Sequence, residues 1–351
     1  MNEIGNNLKR TRLLKDLSLK QAGNLLNMSA TAISKYEKGL IIPDSKKIIE
    51  FANAYNVTTV ELLKIYNKPS LNFSSFRKKK ILTGENLNLL KDVIENKIAN
   101  YLEVIELMDF NQNHLEFKKY SCTNKNEIES IVDNFRKKIN ISDIQPISDL
   151  TSLLENLGII IIEIKNINNK FNGFDGFSEI INNMPIITIL EDQLDGARQR
   201  FTIAHELGHL LLNIKESDEE KICNKFASAL LMPKQAVINE IGRKRKNISL
   251  FEITSFVKEY KVSYTATTNR LKELNIISEF TYKKLQKEIH DKIKISTITP
   301  EKSFEFKRLV HKLESSDFIT FNKACELLGE TTDEYNEENN NYWYKHYNWF
   351  I

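Results

Sequence analysis

The sequence predicts a mainly α-helical protein with one small α+β domain. Glycine and proline are scarce, at 11 and 6 of 351 residues, and apolar residues recur at helical spacing through most of the chain. Two β-branched runs, residues 159–164 and 184–190, lie near each other and are bounded by turn residues. We therefore expect helices almost throughout, with a short sheet in the middle of the chain.

Residues 1–66 are predicted to form a domain of five short helices, over residues 8–13, 19–26, 31–36, 45–55 and 58–65. Asn27 would form the turn after the second helix, because Asn tolerates a left-handed backbone, and Ser29 would cap the third. Residues 1–65 hold ten Lys/Arg against six Asp/Glu, a net +4, whereas the whole chain carries +3. This is therefore the basic part of the protein.

Residues 17–39 resemble the helix-turn-helix of the lambda-repressor-like (XRE) family. The resemblance implies a homodimer on DNA, with Ala30, Thr31, Ser34 and Lys35 in the major groove while Ile33 and Tyr36 point inward. The residues expected at the DNA are Ser29, Ala30, Thr31, Ser34, Lys35, Lys38, Lys9 and Arg10, the basic ones as backbone contacts.

One departure from the family leaves an alternative open. Leu19 stands where the family often has a phosphate-contacting Gln, and Gln21 follows two residues later. The module could then serve as a protein contact only.

Residues 67–125 are predicted to be a linker and a helical spacer. A stretch with Pro and Ser, residues 66–75, precedes a basic patch at 77–80 and a long amphipathic helix over residues 85–108. The mostly polar residues 110–115 should form a loop.

Residues 126–235 carry the strand signals. Helices are expected over residues 127–138 and 147–156, and strands over 159–164, 177–180 and 184–190, with a hairpin turn at Asn182 and Asn183. These strands would form a three-stranded sheet whose edge strand the sequence does not identify.

A helical run over residues 200–212 contains His205-Glu206-Leu207-Gly208-His209. Residues four apart lie on the same helix face, so both imidazoles can reach one ion. Glu206 lies to the side, where its carboxylate can take a proton from a water molecule held there. The alternative is two partly buried histidines on an amphipathic helix.

A second stretch, residues 217–233, favours the metal interpretation. It reads as an acidic helix start followed by small residues for close helix packing, and it stops at Pro233. A catalytic zinc site commonly has two His and one carboxylate. Glu220 is the candidate for the carboxylate, with Glu219 as its competitor, and Asn224 could orient a ligand from one turn further on.

Together, residues 201–212 and 220–233 resemble the ImmA/IrrE family of bacterial metallopeptidases. The resemblance implies a zincin-like fold, Zn²⁺ held by His205, His209 and Glu220, and Glu206 as general base. Asp175, Gly176, Arg198 and Arg200 would hold structure together. The implied substrate is a partner repressor or antitoxin-like regulator, and the alternative is a transcriptional regulator that uses the zinc fold as a sensor or dimer scaffold without turnover.

Residues 236–351 are predicted to be helical, with an aromatic tail at 342–350. Residues 250–260 and 263–274 could form a second DNA contact or pack against the peptidase, and 303–328 should give two further helices. Three scattered cysteines suggest neither disulfides nor a thiolate zinc site. The chain has no signal peptide core or membrane-length apolar run, so we expect a cytoplasmic protein without a membrane partner.

Overall fold

The computed structural model describes residues 3–69, 71, 82, 84–108, 119–122, 124–191, 195–214, 218–293 and 298–337. The predicted basic patch at 77–80, the loop at 110–115 and the aromatic tail lie outside these residues. The helices are α1 Glu3–Leu14, α2 Leu19–Leu26, α3 Ala30–Glu37, α4 Ser45–Tyr55, α5 Thr59–Leu63, α6 Gly84–Leu107, α7 Ile128–Lys138, α8 Leu150–Asn156, α9 Gly196–Leu211, α10 Glu219–Leu231, α11 Lys234–Ile241, α12 Leu250–Tyr260, α13 Tyr264–Glu273, α14 Glu279–Lys292, α15 Glu305–Ser315 and α16 Phe321–Leu328. The strands are β1 Tyr120–Cys122, β2 Ile160–Ile164, β3 Gly176–Ile181, β4 Met184–Leu190 and β5 Leu212–Ile214. The predicted fold class, mainly helical with a small sheet, is confirmed.

The N-terminal region, residues 3–66, is a small helical bundle whose turns follow the predicted chemistry. Asn27 ends α2 with φ of 52°, and the Ser29 hydroxyl accepts a hydrogen bond from the Ala32 amide at 3.1 Å. Gln21 caps α2 by accepting from the Ser18 amide at 2.8 Å. Gln21 therefore has a capping role at the start of α2.

The sheet of the central region, residues 119–293, has the strand order β2-β4-β3. β4 pairs parallel with β2 and antiparallel with β3, and Asn182 and Asn183 turn the hairpin with φ of 49° and 63°. Positive φ at both residues suits the tight turn that matches strand twist. β3 is therefore an outer strand of this sheet within the described chain, which answers the question that the sequence left open.

The sheet separates two apolar layers. Ile161, Ile187 and Ile189 pack toward α7, α9 and α10, whereas Ile160, Ile162 and Ile186 pack toward α6 and α15. Because successive side chains of a strand point to opposite faces, one continuous apolar run serves both layers. The spacer helix α6 therefore covers one face of the sheet, and α9 covers the other.

β1 and β5 pair in parallel and were not predicted. Each has three residues, too few for period-two alternation to stand out in a sequence. The pairing joins Tyr120–Cys122, which fell within the predicted spacer, to the residues directly after α9.

α12 and α13 pack against the central region. The Tyr260 hydroxyl donates to the Ile144 carbonyl at 2.7 Å, and the buried Arg270 contacts Glu129 at 2.7 Å. Of the two roles considered for this pair, packing is the one that the contacts favour. α11 and α14 were not predicted. Cys122, Cys223 and Cys325 are all buried.

No helix within the described residues combines the length and the apolar character that crossing a membrane requires.

Candidate metal centre

α9 carries the histidines through the middle of the central region. Asp195 caps the helix by accepting from the Ala197 amide at 2.9 Å, and most of the helix is buried. His205 is 7% exposed and Glu206 is 4% exposed. Polar side chains at this depth require partners, and those partners come from α10 and β3.

Two glycines allow the neighbouring elements to approach α9 closely. A Cβ at Gly208 would lie 3.4 Å from the Cα of Cys223, so α10 packs directly against the helix. A Cβ at Gly176 would lie 2.8 Å from the Cγ of Glu206, so a side chain there would force Glu206 to shift. Gly176 therefore brings β3 against the Glu206 carboxylate. Burial raises the pKa of the Cys223 thiol, so this residue packs as an uncharged side chain.

Each histidine is held through Nδ1 by a residue of α10. His205 Nδ1 lies 2.9 Å from Asn224 Oδ1, and His209 Nδ1 lies 3.0 Å from Glu219 Oε1. With the hydrogen on Nδ1, each ring donates to its partner and turns the lone pair of Nε2 toward the other histidine.

The Nε2 atoms and the Glu220 carboxylate meet on one side of α9. His205 Nε2 lies 3.1 Å from His209 Nε2 and 3.3 Å from Glu220 Oε2, and His209 Nε2 lies 3.7 Å from Glu220 Oε1. Tetrahedral zinc with bonds of roughly 2.0–2.2 Å separates its ligand atoms by about 3.3 Å. The donor set and its spacing therefore fit zinc. Glu220 is half exposed, so one side of the cluster faces solvent.

Glu206 follows His205 directly on α9, and its carboxylate is held by β3. The Ser178 hydroxyl donates to Glu206 Oε2 at 2.8 Å and also approaches the Glu206 carbonyl oxygen at 3.1 Å. Ser178 was not identified from the sequence, since a serine in a half-buried strand carries no distinguishing signal. Its hydrogen bond fixes the orientation of the Glu206 carboxylate.

A buried ion pair supports α9 from the far end of the chain. Arg200, fully buried, pairs with Glu301, which is 7% exposed. Glu301 Oε2 also accepts from the amides of Leu150 and Thr151 at 3.0 and 2.9 Å, which are the first residues of α8. Arg198 makes a separate, exposed contact with Asp175 at 2.7 Å.

The predicted DNA-contacting residues fall into two groups. Ser29, Thr31, Lys35 and Lys38 are exposed around α3, and Ala30 and Ser34 are partly exposed on the same helix, with Ile33 buried and Tyr36 partly buried against Phe51. Lys9 is half exposed and pairs with Glu85 at 3.3 Å. Arg10 is 9% exposed and pairs with Asp92 of α6 at 3.3 Å, so its burial argues against the predicted phosphate contact.

The fold and the site define a class of protein, in which a helix-turn-helix bundle is joined to a helix-borne histidine and carboxylate cluster beside a small sheet. Family models match both parts. Residues 8–62 match the helix-turn-helix family, and residues 154–272 match the IrrE N-terminal-like domain of peptidase family M78. The chain is thus a fusion of an XRE-type helix-turn-helix domain with an IrrE-like domain, as the sequence predicted.

Similarity to other proteins is otherwise remote. The crystal structure of Bacillus thuringiensis PlcR in complex with the peptide PapR7 and DNA is 12% identical, with 90% of this chain and 99% of that chain covered, at a TM-score of 0.18. The Streptococcus dysgalactiae SHP pheromone receptor Rgg2(C45S) is 13% identical, with both chains fully covered, at a TM-score of 0.16. TM-scores this low carry no structural argument. No curated protein matches the chain.

Proposed function

We propose that the protein is a DNA-binding regulatory zinc metalloendopeptidase that cleaves a partner repressor or antitoxin-like regulator. The observation that carries this proposal is the convergence of two Nε2 atoms and the Glu220 carboxylate, together with a buried, hydrogen-bonded carboxylate, Glu206, on the helix of the two histidines. A structural histidine pair would not need Nδ1 partners on both rings and an acidic neighbour held in a fixed orientation. The arrangement instead has the parts of a hydrolytic site.

His205, His209 and Glu220 would hold zinc. When bound, zinc would supply a Lewis acid that polarises a peptide carbonyl and lowers the pKa of a water molecule. Glu206 would accept the proton of the attacking water and pass it to the leaving amine, as the carboxylate that adjoins His205 on α9. Ser178 would orient Glu206 by donating to Oε2.

The outer strand β3 supports an extended peptide as the substrate. Gly176 and Ser178 of this strand lie against Glu206, so a peptide added along the outer edge of β3 would join the strand that holds this carboxylate. Main-chain hydrogen bonds to a sheet edge hold a peptide without requiring one particular sequence. Selection of a partner regulator would then depend on contacts outside the cluster.

The DNA-binding part of the proposal rests on α3. Thr31, Lys35 and Lys38 are exposed there, and Ser29 caps the start of the helix. A homodimer would place two such helices in successive major grooves, about 34 Å apart. Arg10 is left out of the contact set because it is buried against α6.

The deciding experiment compares wild type with Glu206→Gln, using zinc analysis, DNA binding and cleavage of the regulator whose gene lies next to this one. We expect the variant to keep about one zinc per chain and its DNA affinity, because Glu206 is not in the ligand set, and to lose cleavage. Ser178→Ala should reduce kcat with little change in KM, since it acts through Glu206.

Two outcomes would contradict the proposal in different ways. Cleavage by Glu206→Gln at the wild-type rate would remove its role as base. Absence of cleavage by wild type under every inducing condition, with zinc and DNA binding intact, would favour the non-catalytic regulator. Purified wild type should digest casein slowly, because we expect turnover to require the specific partner. Rapid casein digestion that is lost in Glu206→Gln would show an open, unselective site.

A further inference from the structure

A cavity of about 590 Å³ lies where the N-terminal region, α6, the sheet and the C-terminal helices meet. We call it the junction cavity. α1 and α5 contribute one wall, α6 a second, and β2 with the residue after β4 a third, while α15 and α16 close the fourth side. Clefts of roughly 300–1,000 Å³ at domain interfaces are where small molecules commonly bind. The volume and the location therefore suit a small ligand.

The walls combine apolar and charged surface. Val93 and Tyr101 of α6, Ile162 of β2 and Phe306 of α15 provide the apolar part. Several charged groups in the lining already have partners: Lys64 contacts Glu326 at 2.6 Å, and Lys307 contacts Glu330 at 3.0 Å. These pairs neutralise one another and leave little net charge on that side.

Lys15, Lys97 and Lys165 differ from Lys64 and Lys307. Across the part of the chain that the structure describes, none of these three has a carboxylate within ion-pair distance, although Lys15 Nζ donates to the Asn56 carbonyl at 3.2 Å. The side chains of Lys97 and Lys165 are exposed, and the protein atoms around the Lys97 ammonium group lower its pKa, with Glu191 opposing the shift and Lys165 adding to it. Two ammonium groups that repel each other inside a cleft are stabilised by an anion bound between them.

Glu191 and Glu163 both act on Lys97, but Glu191 also pairs with Lys302 at 3.3 Å. Burial raises the pKa of Glu163 to about 7, although Lys302 opposes the shift. Glu163 is therefore protonated in a large part of the molecules near neutral pH. A bound anion would add the counter-charge that these two carboxylates supply only in part.

The N-terminal region is fastened around the cavity by ion pairs on several sides. Arg10 pairs with Asp92 at 3.3 Å, Lys64 pairs with Glu326, and Lys170 contacts Asp16 at 2.7 Å. An occupant would thus touch the helix-turn-helix part and the central sheet together. A ligand that changes this contact can change how the DNA-binding part is held.

We propose that the junction cavity binds a small organic anion that has an apolar body, with Lys97 and Lys165 holding the anionic group. The site lies apart from the metal cluster. It does not depend on peptidase activity.

The test uses a matched pair of fluorescent probes on the full chain. 8-Anilino-1-naphthalenesulfonate carries an anionic sulfonate, and N-phenyl-1-naphthylamine is the same aromatic body without it. We expect the sulfonate probe to saturate one site per chain with a Kd at least about tenfold lower than that of the neutral probe, since a fold of ten is 1.4 kcal/mol of charge interaction.

Lys97→Met and Lys165→Met should each weaken the sulfonate probe about tenfold and leave the neutral probe unchanged. Lys284→Met removes the same charge from the exposed face of α14 and serves as the control. Val93→Phe should weaken both probes by filling the cavity, with its fold checked by circular dichroism. Equal affinity of the two probes, wild-type sulfonate binding in both lysine variants, or unchanged binding in a folded Val93→Phe would each overturn the proposal.

Discussion

The helix-turn-helix region and the central region each contain a buried arginine–glutamate pair. The two pairs differ in how far apart their partners lie in the sequence. Arg12 and Glu37 lie 25 residues apart within the N-terminal region, with Nε to Oε1 at 2.5 Å and Nη2 to Oε2 at 3.0 Å. Arg200 and Glu301 lie 101 residues apart and join α9 to the segment after α14. The helix-turn-helix part is therefore stabilised by residues close together in the chain, whereas the candidate metal centre depends on a residue far from it in sequence.

The largest expected effect comes from breaking each pair. Glu301→Ala leaves Arg200 fully buried without its carboxylate, and Glu37→Ala does the same to Arg12, so each should cost about 3–5 kcal/mol. Hydrogen exchange should locate the loss in α8 and α9 for Glu301→Ala, and in α1 and α3 for Glu37→Ala. Glu301→Gln, which still accepts from the Leu150 and Thr151 amides, should lose less. If either variant lost protection in α1 and α3 as well as in α8 and α9, the idea that each pair stabilises only its own region would be contradicted.

The next effect separates the ligands from the residues that orient them. Glu220→Ala should abolish stoichiometric zinc, whereas Asn224→Ala should lower zinc affinity about 10- to 100-fold by freeing His205 Nδ1. Both should leave DNA affinity unchanged. Zinc analysis and chelator competition measure this. Full zinc in Glu220→Ala together with loss in Glu219→Ala would reverse the ligand assignment.

A smaller effect is expected in the DNA-binding part. Lys35→Ala should weaken binding to the preferred site about tenfold and relax sequence preference, because Lys35 is exposed on α3. Lys9→Ala should weaken all sequences alike and by less, since Glu85 already neutralises part of its charge. Titrating each variant with DNA of several sequences at two salt concentrations measures both effects. Equal effects of the two variants on every sequence would remove the reading role of Lys35.

The smallest effect is a pH dependence from the junction cavity. Because the pKa of Glu163 is raised to about 7 by burial, the folded state holds this proton more tightly than the unfolded state. The stability that the Glu163 proton contributes to the folded state is therefore fully present below the ordinary carboxyl pKa. This stability is lost as the pH rises through about 7. The free energy of unfolding of Glu163→Gln should be close to that of wild type at pH 5. At pH 8 it should be higher than that of wild type by on the order of 1 kcal/mol after solvent screening. An equal difference at the two pH values would contradict the shift.

The sequence predicted those features that depend on residues close together in the chain. The helix-turn-helix followed from helical spacing with Asn27 and Ser29, and the hairpin followed from Asn182 and Asn183. The spacing of His205 and His209 predicted that both rings share one helix face. α9 carries both of them on that face.

Other features depend on the tertiary fold and left no local signal. No local sequence signal distinguishes Glu301 from the other glutamates, because its contact with Arg200 exists only in the folded chain. The sequence also left Glu219 and Glu220 as alternative third ligands. Two adjacent glutamates at the start of a helix differ only in the direction in which their side chains point. In the structure Glu219 lies at His209 Nδ1, whereas Glu220 lies near both Nε2 atoms. Arg10 was expected at the DNA, and its contact with Asp92 could not be foreseen because the position of α6 against α1 cannot be inferred from either helix.

The Arg200–Glu301 contact has a practical consequence for anyone who expresses part of this protein. The IrrE-like match ends at residue 272, yet the carboxylate that neutralises Arg200 and caps α8 is at 301. A fragment cut at the boundary of the match would expose an arginine with no counter-charge and two helix amides with no acceptor. The matched segment is therefore shorter than the segment that contains the partners of its own buried groups.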